Sequence, residues 1–306
     1  MKNLSFYLKN SLKKSYALGA YNFVNFETLK GICEGCKKSK SPAILAVSEG
    51  ALSYLGAEFI KSMFESAKKE YKLPLFLHLD HGKSFEICKK AIDLGFDSVM
   101  FDGSSLSFEE NVKQTKKVVN YAHKKRVLVE AELGVLAGIE DNVSAEKNIY
   151  TDPLKAKEFV EKTQCDSLAI AIGTSHGAYK FSGKQQLRFD ILSEIEKQIP
   201  NTPLVLHGAS SVSAKHTKII NKFGGDLSGA KGIPEKFLTE ACTKHNIFKI
   251  NTDTDIRLAY MSAVRNHLAE NPKNIDIRKP NKLAIEQICE LVAEKNTNVF
   301  NNSNKK

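Results

Sequence analysis

Three of the eight histidines in this 306-residue chain follow short apolar runs. They are His81 in Leu77-His78-Leu79-Asp80-His81-Gly82, His176 in Ala171-Ile172-Gly173-Thr174-Ser175-His176-Gly177, and His207 in Leu206-His207-Gly208-Ala209-Ser210. One such histidine would be read as a hydrogen-bonded core residue. Three converging on one place are the donor set for Zn²⁺ or a similar divalent ion, with a position left open for substrate. Asp102 and Glu132 end apolar runs as well, where they can orient the imidazoles or hold a second metal position. Asp80 could cap the helix that begins near Ser84, but its place beside His81 favours a catalytic carboxylate. Two further segments, His207-Gly208-Ala209-Ser210 and Asn251-Thr252-Asp253-Thr254, are small and rich in donors, which suits a phosphate cradled by backbone N–H groups. Lys180 and Arg257 would add charge there. His123, His216, His245 and His267 fall in amphipathic segments and are read as surface residues.

These groups need a frame that brings them together. Eight short apolar, β-branched runs alternate with amphipathic stretches: residues 17–22, 43–48, 75–79, 98–101, 127–131, 167–172, 204–206 and 248–250. Helical patterns lie between them, for example 26–39, 58–69, 84–94, 108–124, 153–163 and 189–198. Several carry a cap: Asn25 before Phe26, Ser107 before Phe108, and Asp152 before Pro153. Strand-helix alternation implies right-handed βαβ units and a parallel sheet. Eight repeats at this length predict a single-domain (β/α)8 TIM barrel over residues 1–306, with its chemistry at the carboxyl ends of the strands. The long connection at about 133–152, with Gly134 and Gly138, is expected to be a mobile loop or active-site lid. A helical extension is expected at about 281–306.

Composition excludes other classes. Forty-five Lys and Arg against 35 Asp and Glu give a net charge of +10, but the lysines are spread along the chain with no aromatic-interleaved basic stripe. This reads as a solvated surface and not a nucleic-acid interface, though it also suits anionic small substrates. Apolar runs such as 167–172 are far too short to cross a bilayer. The N-terminus turns polar within a few residues, unlike a signal peptide. Six cysteines are too few for a disulfide framework at this length. Cys33 and Cys36 form a C-x-x-C pair inside a helical pattern, where buried thiols are expected rather than redox or metal chemistry. A cytoplasmic location is the expectation.

The histidine segments above, together with Glu130-Ala131-Glu132-Leu133-Gly134, Asp102-Gly103-Ser104, Phe108-Glu109-Glu110-Asn111 and Ile250-Asn251-Thr252-Asp253-Thr254-Asp255, resemble in order and spacing the signatures of class II, metal-dependent fructose-bisphosphate aldolases. The similarity runs from about Tyr21 to Arg278, and the compact length is similar to the class IIB branch. The resemblance implies that His81, His176 and His207 bind the catalytic Zn²⁺, with Asp102 and Glu132 lining the position of the displaced metal. It implies Asp80 as acid/base at the C4 hydroxyl, Glu140 as the loop glutamate that moves the proton at C3, and Asn251 as the partner of the enediolate. Gly177, Gly208, Ser210, Asp253, Thr254 and Lys180 would hold the C1 phosphate, and Ser48 the substrate backbone. Arg257 would receive the C6 phosphate, joined by Arg278 of a neighbouring subunit. The implied partners are a phosphorylated sugar and further copies of the chain, as homodimer or homotetramer, with no nucleic acid and no membrane. A monovalent cation, Na⁺ or K⁺, belongs to the same expectation.

Four other readings remain open at this stage. A tagatose 1,6-bisphosphate aldolase would share metal and motifs and differ in C4 stereochemistry. A Schiff-base aldolase would use a strand-end lysine, of which Lys249 is nearest. A zinc hydrolase would use metal-bound water as nucleophile, and a non-catalytic barrel would use none of these groups.

Overall fold

A parallel sheet covered by helices buries both faces of every strand, so its strands are apolar along their length. That is the pattern here. The computed structural model describes residues 2–135, 138–140, 143–145, 149–175, 177–178 and 187–306. Its strands are β1 (Leu18–Asn22), β2 (Ala43–Ser48), β3 (Leu75–Gly82), β4 (Ser98–Phe101), β5 (Leu128–Leu133), the short pair β6 (Gly138–Glu140) and β7 (Val143–Ala145), β8 (Ser167–Ile170), β9 (Leu204–Leu206) and β10 (Ile247–Thr252). Eight of them pair in parallel and close in the order β1-β10-β9-β8-β5-β4-β3-β2. The expected (β/α)8 barrel is therefore the fold. β6 and β7 form a separate antiparallel ladder within the long connection after β5.

The helices are α1 (Leu4–Lys14), α2 (Phe26–Ser39), α3 (Glu49–Leu55), α4 (Ala57–Tyr71), α5 (Phe85–Leu94), α6 (Phe108–Lys124), α7 (Pro153–Thr163), α8 (Phe189–Gln198), α9 (Ala214–Lys222), α10 (Glu235–Lys244), α11 (Thr254–Glu270) and α12 (Arg278–Glu294). Asn25, Ser107 and Asp152 cap α2, α6 and α7 by accepting the amides of Thr28, Glu110 and Lys155. Each cap satisfies a donor that the first helical turn leaves unpaired.

Leu4, Tyr7, Leu8 and Ser11 recur at helical spacing in α1 and are buried. Leu4, Tyr7 and Leu8 pack with Tyr16 against Leu18, Ala20, Ile44, Phe76 and Phe248, so α1 closes the amino-terminal end of the barrel. Met100, Ala169 and Val205 form a small apolar cluster of their own. Alternation along the strands then brings polar groups upward: Phe76, His78, Asp80 on β3; Leu128, Glu130, Glu132 on β5; Lys249, Asn251 on β10. The core is apolar at the bottom and ionic toward the carboxyl ends. His216, expected at the surface, is instead buried between α9 and α11, where its Nδ1 lies 2.8 Å from Ser262 Oγ. Its helix turns that face inward among Val212, Ile220 and Leu258. All six cysteines are free, and Cys33 and Cys36 lie buried within α2.

Candidate active site

Asp80 sits at the centre of the polar end. It leaves β3 level with Ser48 of β2. Its Oδ2 accepts Asn22 Nδ2 at 2.8 Å and its Oδ1 accepts Asn251 Nδ2 at 2.9 Å. Burial works to raise the Asp80 pKa, but the imidazoles of His81 and His207 and the Lys249 ammonium outweigh it and hold the carboxyl well below its ordinary range. At neutral pH it is a buried, hydrogen-bonded carboxylate, available as a base. It caps no helix: Ser84 takes that place for α5.

His81 follows in a left-handed backbone conformation (φ 51°). The β3–β4 register shifts between Leu79 and Gly82, and the extra residue of such a bulge re-aims the side chain. Non-glycine residues at positive φ are strained and concentrate where a site over-determines them. His81 Nδ1 lies 2.7 Å from Asp102 Oδ2 and 3.6 Å from Glu132 Oε2. Against the opposing effect of burial, the Asp102 hydrogen bond and the charge of Asp80 push its pKa up to about 10. Glu132 moves the other way from most carboxylates: burial, and then the Asp102 charge, push it up to about 8. Its Oε2 accepts no hydrogen bond among the described residues.

His207 faces His81 with ring centroids 4.5 Å apart. Its Nε2 lies 2.7 Å from Glu130 Oε1, leaving Nδ1 toward Asp80 Oδ1 at 3.8 Å. Burial and the Lys249 charge lower its pKa. Two overlapping donor sets result, Asp80-His81-His207 and His81-Asp102-Glu132, each with ligand atoms within 4.8 Å of one another. Nitrogen and carboxylate donors, and a buried Glu132 oxygen without a hydrogen bond among the described residues, fit a divalent cation. His176 and Lys180 lie outside the described residues, as does the side chain of Glu140.

The candidate phosphate residues gather at the next two strand ends. Gly208 has φ 59°, and a Cβ there would lie 2.6 Å from the carbonyl of Ser175, so only glycine permits this approach. Ser210 is buried and its carbonyl accepts Ile233 N at 3.1 Å. Thr254 opens α11, whose start carries no side-chain cap, and α9 likewise starts without one. Gly177 is described at φ 78°. Asp253 pairs with Arg257 at 2.6 Å, and Ser48 caps α3 through Ala51 N. Arg278 is almost fully exposed on α12 and pairs with Asp276 at 2.9 Å.

Sequence reading gave no role to four contributors. Asn22 steadies Asp80. Glu130 accepts His207 Nε2 and both bonds of the Lys249 ammonium, at 2.8 and 2.9 Å. Lys83 reaches Asp102 Oδ2 at 2.5 Å. His78 sets its Nδ1 2.7 Å from Ser98 Oγ. Strand alternation carried a usable signal: His78, Glu130 and Lys249 each stand two residues before a chosen site residue. Lys249, with both Glu130 oxygens on its ammonium and almost no exposure, belongs to the wall under the site. That argues against a Schiff-base nucleophile, which needs a free amine.

Comparison with known proteins agrees in extent and kind. A family model described as "Fructose-bisphosphate aldolase class-II" matches residues 2–305. A fructose-bisphosphate aldolase of Helicobacter pylori is 46% identical, covering 90% of this chain and 91% of its own. One of Treponema pallidum is 45% identical, covering 95% and 93%. The crystal structure of the YdjI aldolase from Escherichia coli K12 superposes with a TM-score of 0.80 at 30% identity, covering 100% of this chain and 99% of that one.

Proposed function

The chain belongs to the class II fructose-bisphosphate aldolase family, and from that premise we propose how its residues divide the reaction. The enzyme is a metal-dependent aldolase that reversibly cleaves fructose 1,6-bisphosphate to dihydroxyacetone phosphate and glyceraldehyde 3-phosphate. The residue roles that follow are our reading.

Retro-aldol cleavage breaks C3–C4 and leaves negative charge on the dihydroxyacetone phosphate half; a divalent ion, when bound, supplies the Lewis acid that stabilises this charge. We assign that ion as Zn²⁺, held by His81, His176 and His207, with Asp102 and Glu132 at a second position. Asp80 takes the C4 hydroxyl proton. The single observation that carries this assignment is the Asp80 carboxyl buried inside the barrel, held from both sides by Asn22 and Asn251 and set beside two imidazoles. Asn251, whose amide donates to Asp80, supports the enediolate. Glu140 moves the C3 proton.

Gly177, Lys180, Gly208, Ser210, Asp253 and Thr254 hold the C1 phosphate, and Ser48 the substrate backbone. The starts of α9 and α11 support a phosphate here, because neither N-cap side chain accepts a first-turn amide among the described residues. Arg257 and a neighbouring subunit's Arg278 receive the C6 phosphate, which makes the enzyme a homodimer or homotetramer. Two anchored phosphates place the reacting bond between metal and base, turning binding into orientation. A monovalent cation and a cytoplasmic location complete the reading; no helix among the described residues is long and apolar enough to cross a membrane.

The test is cleavage of fructose 1,6-bisphosphate before and after EDTA, then with Zn²⁺ restored, in the parent and in Asp80→Ala. The parent should lose activity to chelator and regain it. Asp80→Ala should keep its metal by elemental analysis and lose about 10²-fold or more in kcat. Unchanged turnover would refute the base assignment.

A further inference from the structure

Beyond the residues that would touch substrate, one buried ion pair joins the end of the chain to the loop after β9. Asp255, on the first turn of α11, is fully buried. Its Oδ2 accepts Ser211 N at 2.8 Å and its Oδ1 accepts Val212 N at 2.7 Å. These bonds hold Val212 at φ 53°, a left-handed conformation that a β-branched residue resists. Asp255 thus ties the loop carrying Ser210 to the helix start carrying Thr254.

A carboxylate cannot stay charged in this interior without a partner. Lys295 supplies it. Its Nζ lies 2.9 Å from Asp255 Oδ2 and donates to Ser211 Oγ at 2.7 Å, while the side chain is only 2% exposed. Glu235 of α10 lies 3.5 Å from the same ammonium and is half exposed. Lys295 opens the π-helical turn Lys295–Val299 that follows α12. The next residue pins that turn: Asn296 is fully buried, accepts Tyr21 Oη at 2.9 Å and donates to Ser39 Oγ at 3.1 Å. Local π geometry is often kept where a side chain must be aimed.

We propose that Lys295 is a positioning residue for the phosphate end of the substrate: by neutralising Asp255 it lets that carboxylate clamp the loop after β9 to the start of α11, so that Ser210 and Thr254 close on one phosphate. The proposal rests on the reading of those two residues as phosphate ligands. It assigns the C-terminal turn a function in substrate affinity and none in the bond-breaking step.

The experiment compares Lys295→Met with Ser211→Ala, which removes one contact of the ammonium and the Ser211 bond to Glu235, and with Lys282→Met, an exposed lysine on α12. Binding of dihydroxyacetone phosphate to the metal-loaded enzymes is measured by titration calorimetry, and KM and kcat for fructose 1,6-bisphosphate by assay. Lys295→Met should bind about tenfold more weakly and raise KM in proportion, with kcat within about twofold; Ser211→Ala should shift the same quantities by about threefold. Lys282→Met should match the parent. If Lys295→Met does not fold, Ser211→Ala decides alone. Parental affinity and KM in the folded variants, or a fall in kcat at constant KM, would overturn the proposal. A parent enzyme that cleaves the sugar but binds dihydroxyacetone phosphate equally well after Ser210→Ala and Thr254→Val would remove the underlying phosphate assignment, and this inference with it.

Discussion

Glu130 shows how much a residue can do without meeting substrate. It accepts His207 Nε2 and so selects the tautomer whose Nδ1 faces the metal donors, while Lys249 balances its charge. Partners of this kind typically change metal affinity by about 10–100-fold when removed. Glu130→Gln should therefore weaken Zn²⁺ binding by about that factor, read by competition with a chelator, with Asp80 chemistry preserved at saturating metal. Metal affinity equal to the parent would show that His207 is oriented by packing alone. His78, one turn of the pleat below Asp80, offers a pH test. Burial, and then the Lys249 charge, lower its pKa to about 3, against the raising effects of Glu130 and Asp80. The unfolded chain protonates this ring near pH 6.5 and the folded one does not, so the unfolded state binds the extra proton. Its contribution to stability is complete above pH 6.5 and declines as pH falls toward 3. Urea titrations of metal-free enzyme should show that decline, and His78→Gln should flatten it between pH 6 and 4. An identical slope in both proteins would mean that other groups govern acid unfolding.

At the scale of elements, the frame is held by close helix contacts as well as by the barrel. α2 lies against α12 across Gly31 and Gly35. A Cβ on Gly35 would sit 2.7 Å from the Cys289 carbonyl and from Val292 Cβ, and one on Gly31 would sit 2.7 Å from Ile288 Cβ. The helices touch backbone to side chain, and no flexible tip can give way. Gly35→Ala should cost about 1–3 kcal/mol by overpacking, despite the higher helix propensity of alanine. A thermal midpoint unchanged or raised would show that α12 can back away. The same contact explains which elements were readable. α2, α6, α7 and α8 have amphipathic spacing, and three of them a sequence-visible cap, so their bounds were legible. α1 carries the same spacing but precedes the first strand, where a repeat-counting argument does not look. The β6–β7 pair consists of three-residue strands whose period is too short to register.

For the whole molecule, ligand and stability are linked, because the proposed metal donors come from β3 and β5 and from the segments that follow β4, β8 and β9 in sequence. A metal bound only by the folded barrel at 100 times its Kd should add about 2.7 kcal/mol to unfolding free energy. His207→Ala should lose most of that increment, and a metal-independent denaturation midpoint in the parent would show that the donors do not form one site. The alternation of eight apolar runs with amphipathic helices determined the barrel, since each period is local and each strand is buried on both faces. The motifs carrying His81, His207 and Asp80 were equally local. What tertiary structure alone decided is who meets whom. Glu130 and Lys249 stand 119 residues apart, Asn251 and Asp80 171, and Lys295 and Ser211 84. No residue type or spacing encodes such pairs. They follow from barrel closure, which stacks inward side chains of neighbouring strands into layers, and from the low polarity of that interior, which requires each buried charge to find its partner there.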